Sequence, residues 1–347
     1  MTTTLSVPHD NIELCLLDVG HGSCVFINTG EGTALIDTGP KAAILEFLRE
    51  RNVTRIDLVV ISHADQDHVG GLSAMLSNNI EIGRVIWNTD GLKRTDLWRN
   101  ISYQLDELSS AGTTVADEEA AANMTVKEIG ERIEIEVHAP RLRLRRLGVG
   151  NRDHAGATIG SNTLSVVARV LVDGVPTLLI PGDIDAVGVG HLGDPVFPDL
   201  KAKYLVLPHH GGTMGATPAA TSAALSSLIT AVSPEVAFVS NGRSTRWDNP
   251  RPEVLAAVHA AGPGITVACS QLSRSCSPEP ILRDGEAPSF SAGWSAGHSC
   301  AGSVSLTLSN GIVGPYVRDS HEAFINEFVP NARCLRTQVA TASVDQE

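Results

Sequence analysis

The segment ISHADQDHVGG, residues 61–71, sets two histidines and two aspartates (His63, Asp65, Asp67 and His68) within six positions, directly after an apolar run. Imidazoles and carboxylates at that density either hold a cation or move protons. Buried side by side, four such groups repel one another or stay unpaired unless a cation lies between them. Two later segments repeat the arrangement: Asp183 follows the apolar run TLLIPG, and His209 with His210 follows YLVLP. Each time, donor side chains come where an apolar strand stops and glycine allows close backbone approach. Three such strand ends predict one shared rim.

The elements that must carry these residues are legible around them. LCLLDVG, CVFINTGEG, TALIDTG and IDLVVISH read as strands, with GEG as a hairpin tip, and PKAAILEFLRE reads as a helix with Ile44, Leu45 and Leu48 on one face. Leu97, Ile101, Leu105 and Leu108 predict a helix over 96–110. Further on, TLSVVARVLVDG and VPTLLIPGD form a hairpin around Asp173 and Gly174. YLVLPHHGG, a helix over 221–232, VAFVSNG and a helix over 251–261 follow. The two halves echo each other, each with a hairpin whose second strand ends in an aspartate turn, which predicts a duplicated unit of sheet plus helices stacked face to face. Residues 140–160, with five arginines, read as an inserted loop, and beyond about 270 periodicity fades apart from GSVSLTLSN.

A chain of 347 residues buries roughly 75% of its unfolded surface, and with 42% hydrophobic and 19% charged residues the composition is that of a soluble globular protein. The formal charge of −13 repels polyanions at long range, which argues against nucleic-acid binding over the whole surface but leaves room for a local positive site. No leader signature and no run of about 18 apolar residues stands out, so a cytoplasmic chain that does not enter a membrane is expected. Six cysteines are too sparse for a disulfide framework, in keeping with a reducing compartment.

These residues resemble the metallo-β-lactamase-fold hydrolases, whose pattern runs His-x-His-x-Asp-His, a lone His, an Asp in a Gly-Asp turn and a final His. His63, Asp67, His68, Asp183 and the His209/His210 pair fall on those positions in order, and LIDTG around Asp37 is similar to the family's early structural aspartate. The likeness is strongest to the soluble hydrolase domain of the DNA-uptake channel ComEC, through LDVGHGSC, ISHADQDHVGG, SNTLS, PGDID, LPHHGG and VSNGRS, over about residues 12–270. It implies an α/β four-layer αββα sandwich over 1–270, with 271–347 as a small cysteine-containing extension packed on the core. Nothing similar to the channel's membrane part is present. Two positions depart from the wider family: the second histidine is Asp65 and the lone histidine is Asn162. Oxygen donors harden the first metal position, admitting manganese beside zinc and disfavouring β-lactam hydrolysis.

The resemblance further implies two divalent ions, with His63 and Asp65 on one, Asp67, His68 and one of His209 or His210 on the other, Asp183 bridging, and a bridged water as nucleophile. A metal lowers the pKa of bound water from about 15.7 to about 7, and a general base contributes about 10² to 10⁴-fold. Asp67, Asp183, His210 and Asp185 are the expected catalytic residues, the second histidine of the pair and Asp185 serving to move a proton or polarise the substrate. Three carboxylates against two divalent ions leave a net positive site, which suits a phosphoryl oxygen. A phosphodiester in DNA, RNA or a nucleotide is therefore the expected substrate, with Asn162, Arg145 and Arg146 as candidate substrate contacts. Hydrolysis of another ester, amide or thioester, or a metal-bound scaffold for a protein partner, are the alternatives.

Other features read as structural. His21 and Cys24 belong to a tight turn and core, and His259 to an amphipathic helix. The arginine run doubles as a solvated or partner-facing loop. Cys269, Cys276, Cys300 and Cys334, with His298 and His321 nearby, are candidates for a structural zinc site, though no C-x-x-C spacing supports it.

Overall fold

The computed structural model describes residues 12–334 apart from 89, 91–92, 245, 310–311, 314–317, 330 and 333. The described residues begin with three short antiparallel strands, β1 (Glu13–Leu16), β2 (Val25–Asn28) and β3 (Thr33–Ile36), then alternate α1 (Ala43–Glu50), β4 (Arg55–Val60), α2 (Gln66–Ser77), β5 (Glu81–Trp87), α3 (Asp96–Ser110) and β6 (Val115–Glu119). Thr95 caps α3 by accepting from the Trp98 amide, and the helix spans the residues that the leucine and isoleucine spacing predicts. The GEG segment is the β2–β3 tip, with Asn28 opposite Thr33.

A second set follows: β7 (Met124–Val126), β8 (Ile133–Ala139), α4 (Leu142–Leu147), β9 (Val167–Val172), β10 (Val175–Ile180), α5 (Ala186–Leu192), β11 (Tyr204–Val206), α6 (Pro218–Val232), β12 (Val236–Val239), α7 (Pro252–Ala261) and β13 (Thr266–Cys269). Asp173 and Gly174 turn β9 into β10 with φ of 53° and 75°, the two positive values that a two-residue Asp-Gly hairpin turn requires. Helices α6 and α7 begin at Pro218 and Pro252, prolines suited to a first turn that has no use for the missing N–H. Strands β14 (Val304–Ser309) and β15 (Ile312–Val313) and helix α8 (Arg318–Phe328) complete the described chain.

The strands form two sheets, ordered β15-β14-β1-β2-β3-β4-β5-β6 and β13-β12-β11-β10-β9-β8-β7. Along β1 to β6 the pairings run antiparallel, antiparallel, then parallel three times. Along β8 to β13 they run in the same order. The echo between the halves is thus a repeated topology.

Strand alternation sorts the side chains into layers. Val25, Ile27, Ala34 and Ile36 meet Ala168, Val170, Leu178 and Ile180 between the sheets. Phe26 and Leu35 point the other way, onto Phe47, Leu72 and Ile101 of α1 to α3. Val167, Leu179 and Leu205 face Leu228, Val254 and Ile325 of α6 to α8. The result is the expected αββα sandwich. The segment beyond 270 is stitched into it: β14 pairs with β1, Leu14 opposite Leu306, and Leu306 and Leu308 enter the inter-sheet core. Among the described residues no helix is long and apolar enough to cross a membrane.

Candidate metal centre

Strand β4 ends at Val60, and His63 and Asp65 follow before α2 begins, so Asp67 and His68 occupy its first turn. Asp183 follows β10 through Gly182, whose φ of 55° turns the chain sharply back. His209 and His210 follow β11, both at φ 55°, a left-handed conformation that costs roughly 1–2 kcal/mol per non-glycine residue. Two consecutive histidines held there turn both rings towards Asp183.

The donors converge. His68 Nε2 lies 3.2 Å and His210 Nε2 3.6 Å from Asp183 Oδ1, while His209 Nδ1 at 3.2 Å and His63 Nε2 at 3.8 Å flank Oδ2. His210 Nε2 is also 3.4 Å from Asp67 Oδ2. His63, His68 and Asp183 form one compact donor group, and His21, Asp67 and His210 a second. The two abut, with His68 Nε2 3.1 Å from His210 Nε2.

The inward aim of these rings is set from behind. His68 Nδ1 donates to Asp37 Oδ2 at 2.7 Å, and Asp37 also accepts from the Ser62 amide and hydroxyl, each at 2.7 Å. His210 Nδ1 donates to the Ser240 carbonyl at 2.7 Å. With one nitrogen so held, Nε2 of each ring faces the centre, the support that metal-binding histidines require.

The donor set fits a cation. His63 is fully buried and its Nε2 has no hydrogen-bond partner, an arrangement that is costly unless something ligates it. Donors about 2.1 Å from a tetrahedral ion stand roughly 3.4 Å apart, which the 3.2–3.8 Å spacings around Asp183 match. Burial, followed by the neighbouring His68, lowers His63 to about 4, and burial with His210 does the same to His21, so both rings present lone pairs at neutral pH. Burial alone would raise Asp183, but His210, His68 and His209 more than offset it and hold the carboxyl well below its ordinary range. His68 is pushed the opposite way: burial opposes its charge, yet Asp183 and Asp37 raise it well above 6.5. The negative field that favours a proton on His68 favours a divalent ion in the same place.

Residues 17–240 match the sequence profile of the Metallo-beta-lactamase superfamily. The chain belongs to that superfamily. Its members are mostly metal-dependent hydrolases, and the His/Asp groups above are candidates for the divalent-metal binding that the fold implies. Over 261 residues the chain is 27% identical to Competence protein ComA of Neisseria gonorrhoeae, covering 74% of this chain and 31% of the relative. Over 265 residues it is 25% identical to ComE operon protein 3 of Bacillus subtilis, covering 70% and 30%. The chain thus spans about a third of the length of these ComEC-type relatives. Among solved structures it is similar to the metallo-beta-lactamase fold protein YhfI from Bacillus subtilis, at 13% identity and a TM-score of 0.44, over 74% of this chain and 96% of that one.

Within this superfamily site the grouping of donors differs from the expected one. His68 joins His63 and Asp183, not Asp67, and Asp65 joins neither group; its Oδ2 lies 3.8 Å from His63 Nε2 while Oδ1 is engaged by Lys93. Asn162 Nδ2 lies 3.2 Å from His209 Nδ1, at the edge of the site. Asp185 caps α5, accepting from the Gly188 amide at 2.7 Å and from the Thr163 hydroxyl at 2.7 Å, so both its oxygens hold local structure.

The centre opens into a cleft of about 820 Å³ lined by His21, Lys41, Asp65, Asp67, Asp183, His209, His210, Trp247 and Arg251, among others. Arg145 and Arg146 do not line it. Both belong to α4, and Arg145 pairs with Glu119 at 2.8 Å, while Arg141 and Arg143 donate to carbonyls at the end of α5. Among the described residues that line it, the lysine and arginine side chains are Lys41 and Arg251. His21, read from sequence as a turn residue, stands in the centre: its Nε2 is 3.8 Å from Asp67 Oδ2 and its ring centroid 4.7 Å from that of His210. The signal was present, since His21 follows an apolar strand and sits between glycines like the other donors.

Cys269, Cys276, Cys300 and Cys334, the sequence candidates for a structural zinc site, fall in one core cluster. All four are buried in the core beneath α6 to α8. Among the described residues no three of their donors, with or without histidine, come within 4.8 Å of one another. Cys300 Sγ instead meets His321 Nε2 at 3.3 Å, and burial drives the Cys269 and Cys300 thiols well above their ordinary range. Their surroundings are those of a packed apolar core.

Proposed function

We propose that this chain hydrolyses a phosphodiester, in a nucleic acid or a nucleotide, with a pair of divalent ions held by His63, His68 and Asp183 on one side and Asp67, His210 and His21 on the other. The observation that carries the reading is the two abutting donor groups, joined where His210 Nε2 lies 3.1 Å from His68 Nε2 and 3.6 Å from Asp183 Oδ1, at the floor of a cleft walled by Lys41 and Arg251. Bound ions supply Lewis acidity and bring the pKa of a water to about 7. Two basic side chains on an otherwise acidic protein make the cleft the natural destination of an anionic substrate. His209 is one-third exposed and 3.2 Å from Asp183; its ring is our candidate for handing a proton to the leaving oxygen. The likeness to a DNA-uptake hydrolase domain favours the same substrate class, and the oxygen donors at 65 and 162 favour manganese alongside zinc.

Hydrolysis of bis-p-nitrophenyl phosphate tests this. The chain stripped by chelation should be inactive and should regain turnover with manganese or zinc. Asp67→Ala and Asp183→Ala should each lose at least 10²-fold in kcat while remaining folded. Full metal loading without turnover on any phosphodiester would move the assignment to another ester, an amide or thioester, or a partner-binding scaffold.

A further inference from the structure

We propose that Asp153, His154 and His191 form a second divalent-cation site, separate from the central cleft, that clamps the 149–160 loop to the end of α5. One donor atom from each of the three lies within 4.8 Å of the others, although the loop and the helix are nearly forty positions apart.

Each donor is prepared for ligation. The Asp153 carboxylate is oriented by its own loop: Oδ1 accepts from the amides of Ala155 at 2.9 Å and Ala157 at 2.8 Å. That leaves Oδ2 for His191, whose Nε2 is 2.8 Å away. A carboxylate fixed by backbone donors on one oxygen and open on the other is the usual support of a metal ligand. His191 is 95% buried, and its Nδ1 is enclosed without a hydrogen-bond partner, so no structural network beyond Asp153 claims the ring. The exposed His154 packs edge-on to it, centroids 5.9 Å apart. Two cations lie close in the chain's contacts: Arg143 donates to the His191 carbonyl and pairs with Asp194 at 2.9 Å, and Arg152 donates to the Gly156 carbonyl at 2.6 Å.

Two imidazoles and one carboxylate are a donor set for a borderline first-row divalent ion, zinc foremost, and three protein donors leave a position for water or a further ligand. None of the three lines the central cleft. The link to it is mechanical. Helix α5 begins three residues after Asp183, and its cap Asp185 holds Thr163, next to Asn162 against His209. A cation here stiffens the helix that directly follows the Asp183 turn.

The test uses the full chain carrying Asp67→Ala and Asp183→Ala, which weakens the central site, with zinc binding followed by equilibrium dialysis and cobalt(II) as a spectroscopic probe. The expected result is one equivalent of zinc, visible cobalt bands of a four-coordinate site, and at least a tenfold weaker affinity on adding either His154→Ala or Asp153→Asn. His154 is exposed and asparagine preserves both loop hydrogen bonds, so these variants keep the fold. Absence of that equivalent, a change below tenfold for both variants, or an effect of His154→Ala alone, which marks adventitious binding to a surface imidazole, overturns the proposal.

Discussion

At the scale of single residues, the site depends on groups that never touch a substrate. Asp37 sits at φ 57° with its carboxylate fully buried, accepting from Ser62 twice and from His68. Asparagine there keeps one acceptor but opposes an amide N–H to the His68 ring, so the wrong nitrogen of His68 carries the proton. Asp37→Asn should therefore lower metal affinity by about 10–100-fold, read by competition with a chelator, with little change in the far-ultraviolet spectrum. Asp18 offers a second test. Its carboxylate is buried and accepts from the Gly20 amide and from the side chains of Gln271 and Ser291, yet desolvation dominates and raises its pKa above 3.8. Between 3.8 and the raised native value the folded chain holds a proton that the unfolded chain has released, so stability rises as pH falls through that interval. Denaturant unfolding should show wild type gaining on Asp18→Asn as pH is lowered, and a pH-independent difference would refute the assignment.

At the scale of elements, α2 must approach the 37–41 turn closely, because that turn carries Asp37 and α2 carries Asp67 and His68. Gly70 and Gly71 allow it: a Cβ on Gly71 would stand 2.1 Å from the Thr38 carbonyl oxygen, and one on Gly70 2.8 Å from the Lys41 amide. Thr38 N–H donates to the His68 carbonyl and Gly71 N–H to the Gly39 carbonyl, both at 2.8 Å, tying turn to helix. In an open helix Gly→Ala gains about 1 kcal/mol. Here the clash is with backbone that cannot swing aside, and overpacking costs roughly 1–3 kcal/mol. Gly71→Ala should come out net destabilised, with a lower denaturant midpoint, and with weaker metal binding as His68 leaves Asp37. An unchanged or raised midpoint would mean that the turn yields.

At the scale of the whole molecule, the segment beyond 270 belongs to the sandwich. It supplies β14 to the edge of the first sheet and Val304, Leu306 and Leu308 to the inter-sheet core. Ser303 accepts from the Asp18 amide at 2.8 Å, and Gln271 and Ser291 hold the Asp18 side chain. A chain cut after residue 270 loses all of these and leaves β1 as an unpaired edge. That fragment should aggregate or melt without cooperativity, judged by gel filtration and calorimetry beside the full chain. A monomeric fragment melting within a few degrees of the full chain would show that the extension is dispensable.

The donor types, their order and the strand ends that bear them were readable from the residues alone, as were the Asp173–Gly174 hairpin and the helix over 96–110. These follow from turn chemistry and periodicity, which act over a few residues. Tertiary structure decided which donors share a volume. His68 groups with His63 because Asp37, thirty-one positions away, holds its other nitrogen. His21 enters the centre because the Gly20–Ser23 turn lies against α2, Ser23 N–H donating to the Asp67 carbonyl at 3.1 Å. Arg145 and Arg146 leave the cleft to Lys41 and Arg251 because α4 lies elsewhere, and the cysteines gather in the apolar core beneath α6 to α8. Residue identity sets what a side chain can bind; strand order and register set what comes within its reach.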